Sequence, residues 1–220
     1  MNLISTKNHD EIVEYLTNTI TDRLESGESV LWLVPGGSAM GVATKVLESL
    51  VEVDTGSLCI TLTDERYGKP GHEDENWTQL MQLGFAVESI NAYRVLRGES
   101  PEDTAKDFSS KLHKLFNTYS YRIGLFGMGA DGHTAGIMPG SAAVESDELA
   151  VYFEGYDYPR VTMTGEAIGQ LDEAVLFAYG ESKHGQIRRL IYDDIDYDEQ
   201  PAKFLLDVDK FSIYTDYQDN

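Results

Sequence analysis

The sequence predicts an α/β fold, a single doubly wound, mostly parallel sheet with helices on both faces, Rossmann-like, running through residues 1–220 as one domain. Three observations predict it. Runs such as 29–34 and 58–62 are continuously apolar rather than alternating, which is how strands buried on both faces look. Each run is followed by a stretch of helical period and then by another run, the β-α alternation of a parallel sheet. No internal repeat, low-complexity tract or long linker divides the 220 residues.

Taken in order, Ile12, Leu16, Ile20 and Leu24 recur every four residues, with Asn8 as a candidate N-cap, Glu11 three residues on and Gly27 past the end. The strand 29–34 empties into Pro35-Gly36-Gly37-Ser38, and a second helix begins at once with Val42, Val46 and Leu50 on one face. Free N–H groups at such a helix start are a place for a small anion. The turn has Walker A spacing from Gly36 to Gly41, but Val42-Ala43 stands where Lys-Ser/Thr belongs; a nucleophile elbow fails because Met40 stands where glycine is needed.

The strand 58–62 ends in Thr63-Asp64-Glu65-Arg66, charges at the carboxyl end of a strand, where open α/β sheets bind ligands. A loop over 67–75, a short helix over 76–83 and a strand over 92–96 follow. Ser100-Pro101 opens a helix whose buried face is Ala105, Phe108, Leu112, Leu115 and Phe116. A strand over 121–126 then leads into a loop with five glycines between Gly124 and Gly136, surrounding Asp131 and His133. An acid two residues before a histidine on such a loop holds an imidazole ready for proton transfer. Gly127-x-Gly129-x-x-Gly132 spells the dinucleotide fingerprint, yet Pro139-Gly140 stops the long helix that fingerprint requires. Beyond it come strands over 149–153, 160–164 and 174–179, a short helix to Leu171, a helix bearing Ile187, Leu190 and Ile191, an acidic loop over 193–199 and a last edge strand over 211–214.

The net charge of -21, from 38 acids against 17 bases, argues against a nucleic-acid partner, whose backbone needs clustered cations. The one cysteine, Cys59, lies in a strand core and suits a reducing compartment. No leader peptide is recognisable, and no apolar run approaches about 18 residues, so no membrane partner and a cytoplasmic location are expected.

The blocks Pro35-Gly36-Gly37-Ser38, Thr63-Asp64-Glu65-Arg66 with Asn76, Gly127 to Ala135 with Pro139-Gly140, Pro159-Arg160-Val161-Thr162-Met163-Thr164, Gly180-x-x-Lys183 and Pro201-Ala202 together resemble 6-phosphogluconolactonases, within the wider group that includes glucosamine-6-phosphate deaminases. The resemblance covers about residues 5 to 215. It implies hydrolysis of a phosphosugar lactone in the oxidative pentose phosphate pathway, without cofactor or metal, by a monomer or small homo-oligomer. His133 is then the base that activates water, with Asp131 or Asp64 orienting the ring or the sugar, and Arg66 stabilising developing charge. Gly36, Gly37 and Ser38 with Arg160 and Lys183 are the expected phosphate cradle. Against the usual pattern, Ala39-Met40 replaces Thr-Pro and Glu75 replaces Ser; Ala39 removes a hydroxyl near the phosphate and Glu75 is expected to add an anion near the site. Deaminases resemble Asp-Gly-His-Ile with a downstream Asn-Glu pair, whereas Thr134 follows His133 here and 137–140 carries no carboxylate. A silent sugar-phosphate sensor needs no base, and both Asp131 and His133 are present. His9, His72, His113 and His184 stand in no motif and are expected to be exposed or structural, with His184, beside Lys183, the one of them able to line that pocket.

Overall fold

The computed structural model describes residues 1–87 and 90–219. Its core is a seven-stranded sheet made of β1 (Asn2–Ser5), β2 (Val30–Val34), β3 (Leu58–Leu62), β5 (Asn91–Tyr93), β6 (Tyr121–Gly127), β9 (Glu173–Phe177) and β10 (Lys210–Thr215), in the order β1-β10-β9-β6-β2-β3-β5. Every pairing in it is parallel. All residues of β2, β3 and β9 are buried, so helices cover both faces, as the unbroken apolar runs foretell.

The flanking helices are α1 (Asp10–Glu25), α2 (Met40–Ser49), α3 (Asn76–Gln82), α4 (Pro101–Thr118), α5 (Gly165–Ile168) and α6 (Glu181–Tyr192). Ser100 caps α4 by accepting the Asp103 N–H at 3.2 Å, with Pro101 at its first position. The start of α1 differs from the capping box expected. Asn8 Oδ1 accepts from the Asp10 N–H at 3.1 Å, but Glu11 takes the Thr6 hydroxyl at 2.7 Å, and Thr6 rather than Glu11 receives the Asn8 N–H.

Two features depart from the single sheet expected. The carboxyl end of β3 bends into β4 (Asp64–Arg66), which joins β8 (Pro159–Met163) and β7 (Ala150–Glu154) in a small antiparallel sheet. β4 is three residues long and carries the site's charges, so it lacks the buried-strand pattern, and the expected strands at β7 and β8 carry no signal of which sheet they join. The last strand, β10, is not an edge: β1 pairs with it outside, from Asn2↔Ser212 to Ser5↔Thr215. Four residues with partly exposed side chains are too few to show a period. Smaller shifts occur at boundaries, β5 ending at Tyr93 rather than Leu96, and a 3-10 helix over Pro201–Asp207 follows the acidic loop.

The chain winds from β2 outward through β3 to β5, then returns to place β6 on the other side of β2 and continues through β9 to β10. The order reverses between β2 and β6, and loops leaving their carboxyl ends diverge there. Leu33 lies fully buried on β2 at that point. Leu33→Ala should lower the unfolding free energy by about 2–5 kcal/mol, read as an earlier urea midpoint at unchanged slope; a loss too small to measure would show that this strand is not packed on both faces.

Candidate active site

A crevice opens at this reversal, lined from β2 by Pro35, Gly36, Gly37 and Ser38, from β4 and α3 by Asp64, Arg66 and Asn76, from β6 by Gly127, Met128, His133, Ala135 and Gly136, and from β8 by Arg160. Lys183, in the first turn of α6, brings Nζ to 3.4 Å from the Ser38 hydroxyl. Residues from five separate parts of the chain therefore meet at one cleft. Asp131 stands behind His133 rather than on the cleft wall.

After β6 the chain makes a tight loop, closed by Gly129 N–H on the His133 carbonyl at 2.9 Å and Gly132 N–H on the Gly129 carbonyl at 3.1 Å. Within it Asp131 Oδ1 lies 2.7 Å from His133 Nδ1 and accepts the His133 backbone N–H at 3.2 Å. A Cβ at Gly129 would sit 2.2 Å from Nδ1, so only glycine lets the ring and carboxylate meet. Burial pushes the Asp131 carboxyl up, but the His133 ring and N–H donors outweigh it and hold it below the ordinary range. An ionised carboxylate only accepts, which puts a ring hydrogen on Nδ1, so that in the neutral tautomer Nε2 carries the lone pair.

The loop is braced from outside. Ala202 N–H donates to the Gly132 carbonyl at 3.0 Å, Gln200 packs beneath Gly132, and Gln186 Nε2 donates to the Ala130 carbonyl at 3.2 Å. The Pro201-Ala202 block thus supports the histidine loop. Ala135 adopts positive φ, +49°, and its carbonyl accepts the Thr162 hydroxyl from β8, which ties the loop to the small sheet.

Asp64 is buried, accepts the Thr63 hydroxyl at 2.9 Å, and faces Arg160; burial raises its carboxyl, opposed by Thr63 and Arg160. Asn76 Nδ2 donates to the Asp64 carbonyl at 3.1 Å, and a Cβ on Gly36 would fall 2.4 Å from Asn76 Oδ1, so that glycine lets the β2 turn close on the β4 side. Glu65 points away from the cleft and accepts the Asn76, Trp77 and Arg66 N–H groups at 2.6, 3.0 and 2.7 Å, fixing the start of α3; burial drives its carboxyl up to about 8 against those donors.

The cradle at Gly37 and Ser38 is exposed and open, with Gly37 at φ +67°. Burial lowers Lys183, partly opposed by Asp216. Arg160 is 6% exposed and its fork is engaged: Nη1 and Nη2 meet Asp157 Oδ1 and Oδ2 at 2.5 and 2.9 Å, and Nη1 donates to the Tyr158 carbonyl at 3.0 Å. It enters the site as a charge in the wall, not as the free fork expected. Glu75, expected to add an anion, is wholly buried and turned onto Arg94, whose Nε is 2.6 Å away; Ala39 is buried beneath the cradle rather than facing it. His184 pairs with Asp216 at 3.0 Å and is not on the crevice wall.

Sequence reasoning missed the β7–β8 connection, where Tyr156, Asp157 and Tyr158 reach back to Asp131, Arg160 and Arg66. Two apolar runs separated by a Gly-containing polar loop are a hairpin signal that would have found it. Among the described residues no group of three His, Cys, Asp or Glu is placed to hold a metal ion, and no helix is long and apolar enough to cross a membrane.

Hydrogen bonds from Arg160 are the leading reason that Asp157 is depressed to about 2. A depressed carboxylate stabilises the fold above its unfolded pKa of about 4 and loses that contribution as pH falls to its folded value. The stability gap between the wild type and Asp157→Asn should therefore be level above about pH 5 and close as pH drops toward about 2, followed by urea unfolding; a gap indifferent to pH would show that the pair is not formed.

A model of the family "Glucosamine-6-phosphate isomerases/6-phosphogluconolactonase" matches residues 5–212. A 6-phosphogluconolactonase of Nostoc sp. is 26% identical over 155 residues, 64% of this chain and 63% of that protein, so the alignment spans under two thirds of the relative. A glucosamine-6-phosphate deaminase of Lactobacillus johnsonii is 24% identical over 233 residues, 98% of this chain and 95% of that protein. Crystal structures of 6-phosphogluconolactonases from Shewanella baltica and Thermotoga maritima share the fold with TM-scores of 0.82 and 0.81 at 20% and 21% identity. The alignments cover 98% and 97% of this chain, and 97% and 96% of those.

Proposed function

The chain belongs to the family of glucosamine-6-phosphate isomerases and 6-phosphogluconolactonases, and from that premise we propose that it hydrolyses 6-phospho-D-glucono-1,5-lactone to 6-phosphogluconate. The observation that carries the reading is one crevice holding an Asp-backed histidine, two arginines and, at its β2 end, an open Gly-Ser turn with a lysine above it. A phosphosugar lactone has a dianion at one end and an electrophilic carbonyl at the other, and the crevice offers a partner to each.

In this reading the 6-phosphate lies on the free N–H groups and hydroxyl at Gly37 and Ser38, with Lys183 supplying a point charge. Arg160 adds positive potential from the wall. At the other end His133 Nε2 accepts a proton from water as the water oxygen bonds to the lactone carbonyl carbon. The carbonyl becomes an oxyanion, which Arg66 stabilises, and the imidazolium is held by Asp131. Collapse breaks the bond from that carbon to the ring oxygen, which takes the proton back from His133. One water has been added and no redox equivalent is needed. Asp64, the one carboxylate among the lining residues, is placed to accept a sugar hydroxyl.

The Lactobacillus relative keeps deamination of glucosamine 6-phosphate as the rival. Against it, 137–140 offers no carboxylate to assist His133. On freshly generated lactone, with the spontaneous opening subtracted, the wild type should accelerate hydrolysis and should release no ammonia from glucosamine 6-phosphate. His133→Ala should lower kcat by about two to four orders of magnitude with product affinity retained. Lys183→Ala should instead raise KM about tenfold or more with kcat largely kept. A His133→Ala enzyme at full rate refutes the base, and ammonia release by the wild type decides for the rival.

A further inference from the structure

Arg66 on β4 and Arg160 on β8 are direct cross-strand partners in the small sheet, and both line the crevice. Like charges opposite one another on neighbouring strands repel. Arg160 is answered by Asp157. The Arg66 guanidinium has no carboxylate within ion-pair distance among the described residues; the one hydrogen bond it makes among them runs from Nη1 to the Asp74 carbonyl at 3.3 Å. What faces its guanidinium is an aromatic ring. The Arg66 guanidinium carbon is 4.6 Å from the centroid of Tyr158, and that of Arg160 is 5.8 Å from the same centroid.

The ring is itself anchored. Tyr158 OH donates to Asp74 Oδ1 at 3.3 Å, and the adjoining Pro159 carbonyl accepts the Tyr67 N–H at 2.8 Å, so the β7–β8 hairpin and the loop over 67–75 are tied together. One side chain thus bears on both cations. A carboxylate in its place would hold Arg66 more firmly but would occupy the donors and cancel the charge that an anionic substrate needs. A π face attracts a cation while leaving the in-plane N–H groups free.

We propose that Tyr158 is a positioning residue of this site, its ring holding the Arg66 guanidinium toward the reacting carbonyl and separating it from Arg160. The proposal rests on the lactonase reading, in which Arg66 meets charge that develops in the transition state.

The test is steady-state kinetics on the lactone and equilibrium binding of 6-phosphogluconate for Tyr158→Phe, Tyr158→Ala, Arg66→Ala and the double variant Arg66→Ala/Tyr158→Ala, with thermal unfolding of each. Tyr158→Ala should lower kcat about 3- to 30-fold with little change in KM or in product binding, and Tyr158→Phe, which keeps the ring, should stay within about twofold of wild type. In the Arg66→Ala background the second substitution should cost nothing further, because the ring would have no cation to hold. Full activity of Tyr158→Ala, an equal loss in Tyr158→Phe, or additive losses in the double variant would each overturn the proposal. A wild type that does not open the lactone would instead overturn the reading it rests on, which keeps the two failures apart.

Discussion

The side-by-side hydrogen bonding of β2 and β6 is the constraint on which everything at the site depends. The two strands are far apart in sequence, yet Val30 sits opposite Tyr121 and Leu33 opposite Gly124 in a parallel ladder buried on both faces. A ladder of this kind fixes position to a fraction of a residue, since a slip by one would turn every buried side chain to the opposite face. The anion cradle leaves one strand and the histidine loop leaves the other, so their separation is set by sheet geometry rather than by the loops. The loops supply what strands cannot: left-handed backbone at Gly37 and Gly132, and a ring folded back onto its own carboxylate.

The other wall is built differently. β3 runs on past the main sheet into β4, and there Asp64, Glu65 and Arg66 alternate between cleft and interior. Asp64 and Arg66 line the crevice while Glu65 turns inward to hold the first N–H groups of α3. Three charged residues in a row thus serve two purposes, and the inward one places Asn76 against Gly36 across the cleft. Buried acids elsewhere are similarly occupied, Glu75 by Arg94 and Glu173 by Lys210 and Tyr15. In a chain of net charge -21 this leaves the crevice as a place where Arg66, Arg160 and Lys183 outnumber the one lining carboxylate.

Much of this was legible in the residues because the signals were strong and local. Unbroken apolar runs gave the central strands, helical spacing with Ser100-Pro101 gave α4, and glycine density marked the loop of His133. The grouping of Gly36, Gly37, Ser38, Asp64, Arg66, His133, Arg160 and Lys183 followed from a resemblance carried by short blocks, which the cleft brings together. What stayed hidden depended on contacts between distant segments. β1 is too short and too exposed to show a period, and only its docking on β10 makes it a strand. Within the small sheet, β4 is a three-residue charged strand whose pairing with β8 no alternation announces. Asp157 on the Arg160 fork, and Glu75 on Arg94, are partner choices that depend on which groups the fold puts within reach. Residue type alone suggests only that an arginine will find an anion and leaves open which one.

The pairing at one edge of the main sheet joins strands that lie far apart in the sequence. β1 docks beside β10, and the Ser5 hydroxyl donates to the Tyr217 carbonyl across a separation of 212 residues. During synthesis residues 2–5 emerge long before 210–215 and have no neighbour in the sheet until those have cleared the ribosome. Such a closure has the greatest sequence distance of any contact in the sheet and contributes late to folding. Until then the flank of β10's future position is a bare ladder of peptide groups, the kind of edge that recruits strands from other molecules. The side of β9 is therefore open to mispairing until β10 docks on it, and once β1 has paired with β10 the free edge that remains on that side is the four-residue β1.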